Sequence, residues 1–239
     1  VVNSGAFAIL RVTYYVFGVD ILSGRWVQHV VLVTAMITIL YGSGMALKEQ
    51  HFKRRLAYST ISNLSYILLG AVMMTPLGMI GAVCHLVVHA FMKICGFFCV
   101  GAVMHQTGKN YISEIEGLGR KMPYIFGCFT VAAVSLAGIP PFGGFISKWN
   151  LGTAALLSDN PLGYAAMGVL LYSAFMTAIY MGTIVLKAWF PTKEHLLEFH
   201  ENDKDPGWKM KVPVILFACM IFLLGIFAKP LIGMIENVA

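Results

Sequence analysis

Charge is scarce in this chain. Asp, Glu, Lys and Arg make up only 12% of its 239 residues, about half the share of an ordinary soluble domain. Negative charge is missing from every long apolar run. The acidic residues, at positions 20, 49, 114, 116, 159, 194, 198, 201, 203, 205 and 236, all fall in loops or at ends. Hard cations take oxygen ligands, for Na⁺ usually including a carboxylate, so the apolar runs by themselves look built for protons. A carboxylate from a further segment or a partner would change that. Paired cysteines are missing too. Cys84, Cys95, Cys99, Cys128 and Cys219 lie within apolar runs and form no CxxC pair. That pattern implies neither a disulfide framework nor a metal cage, and the five read as small buried hydrophobes. No signal-peptide pattern opens the chain. It begins Val1, Val2, Asn3, without methionine and already inside an apolar run, and so reads as a piece of a longer protein. The net charge of +6 is no nucleic-acid signal, because the basic residues sit in alternate loops.

What is there is apolar. Hydrophobic residues make up 58% of the chain, and the mean hydropathy is +0.76. Several runs reach the roughly 20 residues that cross a bilayer as a helix. The expected fold is an all-α, polytopic transmembrane bundle. Seven spans are expected: 1–18, 27–47, 56–74, 79–104, a broken fifth over 122–157, 163–187 and 212–235. Lys48, Lys53, Arg54 and Arg55 follow span two. Lys109, Arg120 and Lys121 follow span four, and Lys187, Lys193, Lys204, Lys209 and Lys211 follow span six. The opposite loops hold only Arg25, with Lys229 near the last span's end. The positive-inside rule puts loops 48–55, 105–121 and 188–211 in the cytoplasm. Trp26, Trp189 and Trp208 fall near the expected interfaces, where amphipathic rings settle.

The fifth span is interrupted. Between Ser135 and Lys148 lie Gly138, Pro140, Pro141, Gly143 and Gly144. Proline lacks the helical N–H and clashes with the preceding turn. A broken helix is tolerated in hydrocarbon only where it is packed in protein or lines a wet cavity, and such breaks mark ion and substrate sites in transporters. Lys148 opens the second half-helix. Either it snorkels to an interface, or it is a functional intramembrane charge. A helix N-terminus carries partial positive charge. That charge disfavours an ammonium beside it and eases release of its proton.

Span four carries His85, His89 and Lys93, spaced i, i+4, i+8. All three lie on one helix face, about 6 Å apart along the axis. Histidine titrates near neutrality. A row of such groups, bridged by water, is what a proton relay requires. The competing readings are satisfied core histidines or a two-histidine metal site, which lacks an evident third ligand. In span three, Ser59, Ser62, Asn63 and Tyr66 form one polar stripe, read residue by residue as interhelical packing. Thr34, Thr38, Tyr41 and Ser43 in span two are weaker signals, because hydroxyls bond back to their own helix. Arg11 in span one serves an ion path or snorkels and bonds neighbouring carbonyls. Span six shows Tyr172, Tyr180 and Gly182 and no charge before Lys187. Span seven reads as packing only. The segment 48–55 reads as a solvated basic turn, and 191–206, with Glu194, His195, Glu198, His200 and Glu201, as a solvated loop.

Four stretches together resemble one family: Gly5 to Arg11, Phe52 to Thr60, His85 to Lys93 and Ser135 to Lys148. Each is similar to a stretch of the antiporter-like, proton-conducting subunits of respiratory complex I. The same family includes Mrp-type sodium/proton antiporters and membrane-bound hydrogenases. The resemblance implies an inverted-repeat fold. Residues 1–18 would be the last helix of a first repeat, 27–187 the second five-helix repeat and 212–235 an additional helix. It also implies roles. Lys93 and His89 would exchange protons along a central water wire, with His85 beside them, and Lys148 would pass the proton outward. Asn3 stands where some members carry lysine or histidine. The chain would be the outlet half of a proton path and would do no bond chemistry itself. It would hold no cofactor and no metal. Fe–S clusters or flavin would sit on soluble redox partners, and the other partners would be membrane subunits and the bilayer. The expected place is a prokaryotic inner or plasma membrane. A sodium/proton antiporter subunit without redox chemistry and a non-conducting assembly scaffold are the alternatives.

Overall fold

The computed structural model describes residues 2–191 and 203–236. The described residues fold into helices joined by short turns. Helix α1 (Val2–Arg11) continues as a π-helical turn, Val12–Phe17, and a short α2 (Val19–Leu22) follows. Next come α3 (Trp26–Lys48), α4 (Phe52–Val72), α5 (Pro76–Thr107) and the short α6 (Leu118–Lys121). The broken span is α7 (Pro123–Ala137) and α8 (Gly143–Leu157). Then follow α9 (Gly163–Trp189), α10 (Trp208–Ile226) and α11 (Ala228–Glu236). Helices α3, α5, α9 and α10 are each long and apolar enough to cross a membrane. Helix α4 has 21 residues, but its polar stripe lowers its hydropathy. The chain is an integral membrane protein.

The caps follow from sequence. Thr75 Oγ1 accepts from the Gly78 N–H at 3.0 Å with Pro76 in the first helical position, a good start for α5. Gly108 ends that helix at φ 72°, where a side chain would be strained. The first turn of α7 also opens on a proline, Pro123, and the Asp205 carboxylate accepts from the Tyr124 and Ile125 N–H groups. An anion at a helix N-terminus is favourable.

Five spans close a ring. Helix α3 packs on α4, α4 on α5, α5 on both α7 and α8, these two on α9, and α9 returns to α3. Helices α10 and α11 lean on α5 from outside, while α1 touches α4 and α5. The apolar core runs along α5, where Val88, Met92, Cys95 and Cys99 meet Leu56, Phe126 and Phe129. Phe52 and Phe129 add an edge-to-face contact at 5.4 Å, the favoured geometry for two rings. Large apolar side chains such as Val30, Phe98, Phe175 and Leu216 point outward, as a bilayer-facing surface requires.

Several expectations are corrected. The last span is not one helix over 212–235; it starts at Trp208 and breaks at Phe227. Cys219 is exposed on the outer surface and Cys128 half-buried, so only Cys84, Cys95 and Cys99 are buried hydrophobes. The basic turn 48–55 is not wholly solvated. Arg55 is 3% exposed and donates to Glu49 O, Leu47 O, Tyr180 O and Thr183 Oγ1. It pins the α3–α4 turn to α9. Nor is the last part of 191–206 solvated, because Asp203 is buried and pairs with Lys109 at 2.9 Å. Glu194, His195, Glu198, His200 and Glu201 lie outside the described residues. Trp189 is tied inward, its Nε1 donating to Thr130 Oγ1 at 3.2 Å.

Residues 108–118 seal this basic end of the ring. Phe52 N–H donates to Asn110 O and Ile112 N–H to Gln50 O, while Gly117 N–H reaches Lys187 O. Ile112, Ile115 and Leu118 are buried beneath. Replacing Arg55 with alanine leaves Leu47 O, Glu49 O and Tyr180 O without that donor and is expected to cost about 3 kcal/mol. A thermal midpoint within a degree of the parent, measured in detergent, would contradict this.

Candidate functional site

The inner wall of the ring is polar. Ser43 comes from α3; Ser59, Asn63 and Tyr66 from α4; His85, His89 and Lys93 from α5. Ser147 and Lys148 come from α8, and Ser173, Thr177 and Tyr180 from α9. All are buried except Lys148, which is half-buried. Polar side chains are costly in hydrocarbon and are expected to face the bundle interior, and here they do.

The row on α5 is assembled as the spacing implies. Imidazoles of His85 and His89 stack with centroids 5.7 Å apart and 23° between their planes. Lys93, 6% exposed, donates to Leu56 O at 3.1 Å and to Ser59 Oγ at 2.7 Å. From His85 to Lys93 the row covers about 12 Å of helix axis. Both ring nitrogens of His89, Nε2 of His85 and Oδ1 of Asn63 are buried with no protein hydrogen-bond partner among the described residues. Buried polar atoms are almost always paired, by internal water where the protein does not serve. These atoms therefore mark the hydratable stretch of the ring.

Lys148 stands at the break. Gly138 ends α7 at φ 89°, and a Cβ there would lie 3.0 Å from Lys148 Cδ. The last carbonyls of a helix have no intrahelical donor. Lys148 Nζ supplies one, bonding Leu136 O at 2.6 Å and Ala137 O at 3.3 Å. The expected electrostatics are thereby corrected. Although Lys148 belongs to the first turns of α8, its ammonium lies on the negative end of α7, not on the positive end of its own helix. Its other neighbour is the Tyr66 ring, 5.4 Å from Nζ to the centroid, within cation–π range. The same ring meets His85 edge-on at 5.4 Å. One residue before Lys148, Ser147 Oγ lies 2.9 Å from His85 Nδ1. The α5 row and the broken helix thus touch directly. A cavity of about 390 Å³ opens beside Lys148, lined mainly by Phe145, Trp149, Met167 and Leu171.

The family model described as the transmembrane part of NADH:quinone oxidoreductase and Mrp antiporters matches residues 1–172. The chain belongs to this family. It is 31% identical over 237 residues to an NADH-quinone oxidoreductase subunit (N) of Desulforudis audaxviator, covering 95% of this chain and 46% of that one. It is 30% identical over 227 residues to a Na⁺/H⁺ antiporter subunit of Alkalihalophilus pseudofirmus, covering 95% and 44%. Among solved structures, a chain of the Mrp complex from a Dietzia species superposes with a TM-score of 0.85 at 23% identity, over 98% of this chain and 50% of that one. The chain thus spans about half the length of the relatives it matches.

Within this antiporter-like fold the four residues singled out from sequence, Lys148, Lys93, His89 and His85, all reach the ring interior. Arg11 does not. Its guanidinium lies over Phe7 and Tyr15 of its own segment, at 5.9 and 5.3 Å, and it is exposed on the outside. Asn3 is half-buried on the same peripheral segment. Sequence reasoning missed Ser173 and Thr177 and gave Tyr180 no role. A signal was present, because positions 173, 177 and 180 recur at i, i+4, i+7 and form one helix face.

Proposed function

We propose that this chain is the proton-translocating part of an antiporter-like membrane subunit in a redox-driven respiratory or hydrogenase complex. The observation that carries the reading is the closed ring itself. Two lysines and two histidines lie inside it, and Lys148 sits where the helix breaks. Lys93, His89 and His85 pass protons along the hydrated α5 row, and Lys148 delivers them to the outside. Sealing of the basic end by residues 108–118 favours a lateral supply to Lys93 over one from directly below. The basic loops 48–55, 105–121 and 188–211 face the cytoplasm of a prokaryotic cell. Residues 1–18 end a first repeat, 27–187 form the second, and 212–235 add a segment. On this reading the described residues bind no cofactor or metal of their own. Fe–S clusters or flavin belong to soluble partners, and other membrane subunits flank it.

A sodium/proton antiporter subunit is the second reading, favoured by the 30% identity to the Alkalihalophilus protein, about equal to the identity to the Desulforudis one. Purifying the native complex in mild detergent and reconstituting it in vesicles separates the two. Proton uptake driven by NADH, ferredoxin or hydrogen oxidation supports the first. Sodium flux without redox chemistry supports the second. A complex whose ion transport survives deletion of this subunit would leave only an assembly scaffold. Within the first reading, His89→Ala is expected to slow proton uptake to about half of the parent rate across about pH 6 to 8. Full rates would make His89 a core residue.

A further inference from the structure

Two sets of side chains lead from Lys93 toward Lys148. The first is the histidine row. The second contains no histidine. Lys93 Nζ donates to Ser59 Oγ at 2.7 Å, and the Tyr180 hydroxyl reaches the same oxygen at 2.9 Å. Thr177 Oγ1 lies 3.1 Å from the Tyr180 hydroxyl. One helical turn before Thr177, Ser173 Oγ accepts from the Tyr66 hydroxyl at 2.5 Å. Ser43 Oγ bonds Ser173 Oγ in turn. The ring of Tyr66 is the one that Lys148 and His85 share. The hydroxyls of Ser59, Tyr180 and Thr177 run in direct contact from Lys93, and Ser173, one turn from Thr177, holds the Tyr66 hydroxyl.

Back-bonding is the ordinary use of a hydroxyl in a membrane helix, and Thr177 does bond Ser173 O at 2.7 Å. Tyrosine cannot be explained that way. Its hydroxyl stands beyond the ring and must find a partner elsewhere, and phenylalanine would fill the same space without that cost. Tyr66 and Tyr180 are both fully buried, and both hydroxyls meet other hydroxyls across helix boundaries. A hydroxyl both donates and accepts, so a row of them can take a proton at one end and release another at the far end.

We propose that Ser59, Tyr180, Thr177 and Tyr66 form a second proton route from Lys93 toward Lys148, parallel to the histidine row. It rests on the proton-translocating reading above. In one passage an N–H bond of the Lys93 ammonium breaks and Ser59 Oγ gains the proton. Ser59 passes its own proton to Tyr180, Tyr180 to Thr177 and Thr177, through internal water, to Tyr66. Tyr66 gives its own, through internal water, to the neutral Lys148 amine. Lys93 ends neutral and Lys148 charged; no electron moves. Each hydroxyl must then turn back before the next proton passes.

Three variants of the assembled, reconstituted complex test this by proton uptake. Tyr180→Phe keeps the ring and deletes one link; His89→Gln interrupts the other route. Each alone is expected to retain about half of the parent rate, and the double variant less than about a tenth, because side chains acting on one process are non-additive. A solvent isotope effect larger in His89→Gln than in the parent is also expected. If Tyr180 only supports packing, its replacement slows both backgrounds by the same factor. That result, or a double variant as fast as His89→Gln, overturns the second route. Should Tyr180→Phe fail to assemble, Thr177→Val removes the next hydroxyl with the same expectations. Lys93→Ala serves as the reference. Full transport in that variant defeats the proton-translocating reading itself. Lost transport there, with equal rates in the double and His89→Gln variants, defeats only the hydroxyl route.

Discussion

Lys148→Ala is expected to leave the subunit assembled in its complex and to lower proton transport by about a hundredfold or more, the scale of losing a proton-transfer group. Assembly should survive because the change is local. Leu136 O and Ala137 O lose their donor, at about 1–3 kcal/mol, a loss confined to the end of α7. Transport should not survive, because the half-buried amine is the only ionisable group on α8. Lys148→Arg makes the test sharper. Arginine keeps a cation over Tyr66 and donors for the two carbonyls, yet it does not deprotonate in a protein. If Lys148 merely caps α7, the arginine variant transports at near the parent rate. If it exchanges protons, both variants are inactive. An assembled Lys148→Arg complex that pumps normally would remove Lys148 from the path.

Most of the fold was legible because bilayer length and proline placement are strong constraints. A run of about 20 apolar residues has few alternatives to a membrane helix, and Pro140 with Pro141 fixed the site of the break. The α5 row was legible for a similar reason. Three ionisable side chains at i, i+4 and i+8 cannot all face lipid. What stayed hidden depended on partners distant in sequence. Arg55 looked like one more solvated cation until Tyr180 O and Thr183 Oγ1, more than a hundred positions away, were brought to it. Asp203 and Asp205 looked like loop charges for the same reason, since Lys109 and the start of α7 lie far off in the chain. The sign of the field at Lys148 was misread because membership in α8 says nothing about where a long side chain ends. Thr177 and Ser173 escaped because a lone hydroxyl in an apolar helix has a bland use. Only the two tyrosines facing them make the row visible.

The geometry at Lys148 depends on a position that carries no functional group. A Cβ at Gly144 would run into the carbonyl oxygen of Ser135, with Ser135 Oγ at 3.2 Å. Gly144 N–H already points at that hydroxyl, at 3.4 Å. The obstacle is backbone at the end of α7, which cannot swing aside as a flexible side chain would. Gly144→Val should therefore push the start of α8 away from the end of α7. Ser147 and Lys148 follow within the next turn, so the 2.9 Å contact with His85 and the bond to Leu136 O lengthen together. Overpacking of this kind costs about 1–3 kcal/mol, and a rigid neighbour places it at the upper end. Transport is expected to fall about a hundredfold, since a shift of roughly 1 Å in a reacting group has that effect. Gly127→Val on α7 is the matching control. A Cβ there meets no atom within 4 Å, and its stability should stay within about 0.5 kcal/mol of the parent. The two readouts separate the causes. If Gly144→Val is destabilised yet pumps at the parent rate, the apposition of the half-helices serves folding alone. If it pumps poorly at a temperature where it remains assembled, the break is what holds Lys148 within reach of the relay.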